Sequence, residues 1–392
     1  MRNQFILLLI FITSVSAFAQ RHRIIKKEFT VNKNTSIVLN LDNISVAFEE
    51  STDGKIHFDY VMEFDGYSKK KMQSLIDNVS VELNGSNDVV SLNAKSKSRM
   101  YSEIYSVDSP HSITLNDVYF KPKMDSVVRK SKDSLLKEIE FKNRPRHLSS
   151  LKFMQDRFKV MKKDGKLKNL TKGSLKMLRS EFVIKLPPFV KLTINAKGTN
   201  LYFRNDIQNQ LSITSKDGSV KAKAITNAYN KVKVKGANFD ATNLIGGDYM
   251  FKNISKGKIG EMSNARINSE FSKIEIGEIG KQTQIIDFNS EYWFYNWSNN
   301  FERFNLYSEY SKIHLFYPKA NHSMKMVGNN TKSLIGSNKF EVNMQPTKNG
   351  EKYTIMTKDV KDETKPINEI YFDIIHGIIY THENSIKQIN KD

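Results

Sequence analysis

The sequence predicts an all-β chain whose main body is a β-solenoid, a parallel β-helix-like stack of about twenty-residue repeats. Three observations carry that prediction. Short apolar pairs return about every twenty residues from Phe182 onward, Gly and Asn fall between them where turns need positive φ, and there is no Cys to staple a smaller fold. The whole divides into a signal peptide (1–19), an N-terminal β section (20–95), a basic, partly helical insertion (96–180), the repeats (181–340) and C-terminal strands with a cap (341–392).

Residues 1–19 read as a secretory signal. Arg2 precedes an apolar run over 5–12, and small residues end in Ala17-Phe18-Ala19. The run is shorter than the ~20 residues a membrane span needs, so cleavage after Ala19 is expected. The expected destination is the periplasm, the outer-membrane surface or the exterior, with no transmembrane helix in the mature chain.

In the N-terminal section, strands are expected over 36–41, 44–48 and 56–64. Ile56, Phe58, Tyr60, Met62 and Phe64 share one face in the last, the period of two of a half-buried strand. A short helix should follow Ser68 as N-cap, with Met72, Leu75 and Ile76 on one side.

The insertion breaks this pattern with helices expected over 126–142 and 149–164. The second has Leu151, Met154, Phe158 and Met161 along one stripe and a basic back that includes Lys159, Lys162 and Lys163. Between residues 121 and 179 there are nineteen Lys and Arg against six Asp and Glu, so thirteen of the net charge of +19 sit in this segment. It is either a solvated helical pair lying on the β body or a docking surface for an anionic partner.

The repeats offer the apolar pairs Leu192/Ile194, Leu211/Ile213, Val232/Val234, Tyr249/Phe251, Ala265/Ile267, Ile286/Phe288 and Phe304/Leu306. Stacked, such pairs form one continuous core. Three turns align by their letters: Asn268-Ser269-Glu270-Phe271, Asn289-Ser290-Glu291-Tyr292 and Tyr307-Ser308-Glu309-Tyr310. That alignment places Phe271, Tyr292 and Tyr310 in the core and turns Trp293 and Phe294 outward, which makes the latter two candidate contact residues for a sugar or a protein. It also stacks Glu270, Glu291 and Glu309, read as a solvated ladder rather than a cation site. A strand is expected over 339–357, and the segment 369–381 is expected to cap the last repeat.

The run Ile37-Val38-Leu39-Asn40-Leu41-Asp42-Asn43 with its following Ile44-Ser45-Val46 strand, the lead Leu186-Pro187-Pro188-Phe189-Val190-Lys191-Leu192, and the glycine or tyrosine turns resemble an exported bacterial adhesin-like family with β-strand repeats, a domain of unassigned function. The likeness spans nearly all of the mature chain except the insertion. It implies a parallel-stranded solenoid and a role in adhesion.

No catalytic constellation is legible. The eight His show no metal-ligand spacing, and no nucleophile elbow or phosphate loop opens a helix. The expectation is a non-enzymatic envelope protein without cofactor or metal, contacting a cell-surface glycan or an envelope protein and not nucleic acid. A polyanion-binding module using the insertion is the alternative, and a polysaccharide-active β-helix enzyme stands behind it. An outer-membrane barrel is disfavoured because the short strands lack aromatic girdles.

Overall fold

The computed structural model describes residues 20–86, 88–101, 103–107, 129–139, 175–335, 352–360 and 364–382. The signal segment and the expected helix over 149–164 lie outside them. Two long, mostly parallel sheets of fourteen and thirteen strands hold nearly everything, and no helix among the described residues is long and apolar enough to cross a membrane.

The chain alternates between the sheets. In the thirteen-stranded sheet Lys191–Lys197, Leu211–Lys216, Lys231–Lys235, Asp248–Lys252, Arg266–Glu270, Thr283–Phe288 and Arg303–Glu309 lie side by side in parallel. After each of them the chain crosses to the fourteen-stranded sheet, through Asn200–Phe203, Ser219–Ile225, Asn238–Ile245, Gly257–Ser263, Lys273–Ile279, Glu291–Trp297 and Lys312–Phe316. Every round adds one rung to both sheets.

Alternation along each strand sends one face inward. In the thirteen-stranded sheet this makes a continuous buried column: Leu92, Leu39, Ile194, Ile213, Val232, Tyr249, Ile267, Ile285, Leu306, Phe372 and Met326 occupy successive rungs. The expected pair Ile286/Phe288 is corrected by this register. Ile285 is the core residue, and Ile286 and Phe288 face out.

Residues 36–50 form a rung of the same stack. Ser36–Ile44 lies between Val89–Met100 and Lys191–Lys197, and Val46–Glu50 between Leu175–Leu186 and Asn200–Phe203. Antiparallel strands Gln20–Thr30 and Lys55–Asp65 close that end of the fourteen-stranded sheet. Helix α1, Lys69–Ile76, starts at Ser68 as read from the sequence, with the Ser68 hydroxyl accepting from the Lys71 amide at 3.4 Å.

At the other end the strand order departs from the chain order. Asn368–Ile375 lies between Arg303–Glu309 and His322–Asn329, and Ile378–His382 lies between Lys312–Phe316 and Lys332–Ile335. The segment expected to cap the stack is therefore inside it, with backbone groups paired on both sides. The antiparallel strand Lys352–Asp359 covers the edge of the thirteen-stranded sheet instead.

Helix α2, Lys132–Ile139, is the described part of the insertion. It lies across the outer face of the fourteen-stranded sheet with Leu135 and Ile139 buried. Two glycines make room for it, since a Cβ on Gly260 would meet Leu136 Cδ2 at 2.4 Å and one on Gly277 would meet Leu135 Cδ2 at 3.2 Å.

Candidate functional site

Where each rung leaves the thirteen-stranded sheet, one residue turns the corner in the left-handed region. Along the stack these are Asn43, Gly198, Asp217, Gly236, Asn253, Phe271, Asn289, Tyr310, His376 and Asn330, with φ from +47° to +62°. Gly, Asn and Asp are the residues that adopt this conformation readily, and a bulky side chain there is a conformational outlier. Phe271, Tyr310 and His376 are such outliers.

Their side chains stand in solvent together with Phe288, which precedes the corner of its own rung. Phe271 is 48% exposed, Phe288 39% and Tyr310 52%. Ring centroids follow one another at 5.5 Å from Phe271 to Phe288, 5.8 Å from Phe288 to Tyr310 and 4.9 Å from Tyr310 to His376, the last pair nearly parallel. Beside this ridge runs an open groove of about 610 Å³, lined among others by Met250, Asn268, Ile286, Tyr307 and Asp373, with Glu270 and Glu309 along its margin. Apolar ring faces next to carboxylates and an amide match the apolar faces and the hydroxyls of a sugar.

What holds aromatic residues in this conformation lies beneath them. The residue after each corner in three successive rungs is a serine: Ser272, Ser290 and Ser311. Their hydroxyls accept the amides of Ile254, Ser272 and Ser290 at 3.0–3.1 Å, so each corner is tied to the next. Buried Asp287 accepts from Ser269 Oγ and Ser311 Oγ, both at 2.5 Å, and Tyr292 Oη lies 2.6 Å from Ser269 Oγ. Burial raises the Asp287 carboxyl above its ordinary range, while the serine hydroxyls pull it back.

The register corrects the outward-facing pair read from the sequence. Trp293 sits opposite Glu275 and His314, and Phe294 opposite Ile276 and Leu315. Phe294 is fully buried and cannot be a contact residue. Trp293 does face outward, but it is occupied. Its ring stacks on His314 at 3.6 Å, and its Nε1 donates to Glu291 Oε1 at 2.7 Å. His314 lies in turn against Tyr380 and 3.1 Å from His382 Nε2, and burial with the neighbouring His382 pushes it down to about 4.

Phe271 and Tyr310, expected in the core, are the exposed ones. The glutamate ladder also dissolves, because Glu270 and Glu309 flank Phe288 while Glu291 pairs with Lys273 at 2.9 Å.

Lys159, Lys162 and Lys163 lie outside the described residues. The described part of the insertion spends its charge internally. Lys132 reaches Glu261 and Glu278 at 2.5 and 3.1 Å, Lys130 reaches Glu275 at 2.5 Å, and Glu138 pairs with buried Lys258. Among the described residues no group of three or more His, Asp or Glu could hold a metal ion.

No protein-family model and no curated protein matches the sequence. Among solved structures, a "putative cell adhesion protein" from Clostridium sporogenes aligns with 93% of this chain and all of its own, at 9% identity and a TM-score of 0.17. A likeness at that score carries no argument.

Proposed function

We propose that this chain is a non-enzymatic, exported envelope protein, a β-solenoid that acts by contact, and that its contact surface is the aromatic corner of Phe271, Phe288, Tyr310 and His376 with a glycan as the ligand. The observation that supports this most is conformational. Two rungs place bulky aromatic rings, and a third His, at a backbone position that costs roughly 1–2 kcal/mol for a side chain with Cβ, while neighbouring rungs use Gly, Asn or Asp. The rings then remain in solvent, so core packing does not offset that cost. Strain retained at an exposed site is the signature of a surface kept for binding. Export rests on the apolar leader and the Ala17-Phe18-Ala19 site.

The test is affinity electrophoresis of the full mature chain in gels containing soluble β-glucan, galactomannan, xylan or polygalacturonate. Retardation by at least one polymer, abolished in Phe271→Ala/Tyr310→Ala and kept in Trp293→Ala, supports the reading. Equal mobility of parent and double variant in every gel overturns it.

A further inference from the structure

The column of side chains that ends in this ridge begins as something else. Immediately before the corner, on four successive rungs of the thirteen-stranded sheet, stand Lys197, Lys216, Lys235 and Lys252, each paired in register with the next. Neighbouring strands are ~4.8 Å apart, so four ammonium stems leave the sheet along a line of roughly 14 Å. Lys231 and Lys233 project from the same outer face, and Arg99 reaches the corner between the first two, where its Nη2 donates to the Asp217 carbonyl at 2.8 Å.

Like charges directly opposite one another destabilise a sheet. The same chain shows how such a column is neutralised. On the outer face of the fourteen-stranded sheet the in-register column reads Lys221, Asp240, Lys258, Glu275, with opposite charges on every adjacent pair. The lysine column lacks that alternation. Asp42 stands in register beside Lys197 and Glu270 beside Lys252, and Lys216 has Asp217 at 3.9 Å, but Lys216 and Lys235 have lysines on both neighbouring rungs, and Lys197, Lys233 and Lys235 have no carboxylate within ion-pair distance among the described residues.

We infer that this lysine column is a binding site for a linear acidic polysaccharide, whose anionic groups lie along Lys197, Lys216, Lys235 and Lys252 and whose chain continues onto the aromatic corner. The line of charge stops at Glu270, and Glu309 follows two rungs on, in the same column as Phe288. Sugar hydroxyls can donate to both carboxylates, and the phosphodiester backbone of DNA carries no hydroxyl that could do the same. DNA is disfavoured on that ground. The inference rests on the contact reading only for the direction in which the ligand continues. The cationic half stands on the register and the unpaired charge.

The decisive variant is Lys216→Glu, which turns the column into Lys-Glu-Lys-Lys and so imports the alternation of the opposite face. The control is Lys223→Glu, the same charge change on an exposed lysine of the fourteen-stranded sheet. Binding of the full mature chain to polygalacturonate, to dextran and to single-stranded DNA is measured by biolayer interferometry at 50 and 500 mM salt. The expected result is polygalacturonate binding that falls about tenfold in Lys216→Glu and not in Lys223→Glu. The difference should close at high salt as the ionic contribution is screened, and the melting temperature of Lys216→Glu should be unchanged or raised.

Equal losses in both variants would mean that net charge alone is sensed, and no loss in either would mean that the lysines do not bind; both overturn the site. Single-stranded DNA bound as tightly as polygalacturonate, with the same dependence on Lys216, overturns the glycan assignment. Phe271→Ala/Tyr310→Ala separates the two readings. If it leaves the Lys216-dependent part of binding intact, the contact reading fails and the cationic site survives.

Discussion

The two outer faces of the stack are built from the same strand repeat and end in opposite conditions. The outer face of the fourteen-stranded sheet is covered and neutralised: one column of charges alternates from rung to rung, glycines at 260 and 277 admit a helix, and Lys130 and Lys132 dock that helix onto Glu275 and onto the like-charged neighbours Glu261 and Glu278. Its aromatic residues are absorbed as well, Trp293 and Tyr380 lying on either side of His314. The thirteen-stranded sheet is left open, with a run of in-register lysines, of which Lys197 and Lys235 have no ion pair among the described residues, followed by strained, exposed rings. A face whose charges are neutralised and a face left in tension can be compared within one molecule, and the contrast is what supports the proposal that the second is the contact surface.

The largest effect should come from breaking the closed face. A Cβ on Gly260 would lie 2.4 Å from the Thr242 carbonyl oxygen as well as against the helix. Gly260→Ala should therefore destabilise by about 3 kcal/mol, because a backbone atom cannot move aside as a side chain can. Chemical denaturation of the variant checks this, and the open face should bind as before in whatever fraction stays folded.

The second effect belongs to the same face and is pH dependent. His314 is pushed down to about 4, chiefly by burial and then by His382, from an ordinary value of 6.5. A group with a depressed folded value contributes stability that is present above its unfolded value and lost as the pH falls. The parent should lose about 2 kcal/mol between pH 6.5 and 4 from this residue, an amount reduced for its partial exposure. His314→Phe, which preserves the stack without a titrating nitrogen, should flatten that part of the profile. An identical slope in parent and variant would place the sensitivity elsewhere.

Beneath the open face, Asp287→Asn should stabilise by about 1 kcal/mol at pH 7. The folded value of Asp287 lies above the ordinary 3.8, so its contribution is complete below that pH and is lost as the pH rises through the folded value. Asparagine does not titrate, and the gap between variant and parent should therefore open with rising pH and vanish near pH 3. A gap that is constant with pH would mean that the serine hydroxyls fully solvate the carboxylate.

The apolar spine was legible because inward positions recur with a period of two within strands and about twenty between them; Ile194, Ile213, Val232, Tyr249 and Ile267 all lie in it, although the pairs slip by two residues, with Ile213 opposite Val232 rather than Val234 and Ile267 opposite Tyr249 rather than Phe251. The site was misplaced through a repeated word. Asn268-Ser269-Glu270-Phe271 runs from strand into corner, whereas Asn289-Ser290-Glu291-Tyr292 runs from corner into strand, so aligning them shifts one rung by three residues and reverses inside and outside. Only the left-handed φ shared by Phe271, Asn289 and Tyr310 fixes the phase. The lysine column was within reach, since Lys197, Lys216, Lys235 and Lys252 recur at nearly the repeat length. The intercalated position of Asn368–Ile375 was not, because periodicity carries no information on the order in which strands stack.

The smallest effect bears most directly on the comparison. If Phe271 is kept for contact, replacing it with the residue that neighbouring rungs use should relax the fold. Phe271→Asn relieves a left-handed strain of about 1–2 kcal/mol and gives up the edge-to-face contact with Phe288, worth about 0.5–1.5 kcal/mol. Because the ring is half exposed, little burial is lost with it. The balance is a gain of about 0.5 kcal/mol, roughly half a degree in melting temperature for a chain of this size, accompanied by weaker glycan retention. Stability that rises while retention falls would separate the demands of the fold from those of the surface at a single residue. A destabilised Phe271→Asn would instead make the ring a structural brace, and the open face would lose its claim to be strained for a purpose.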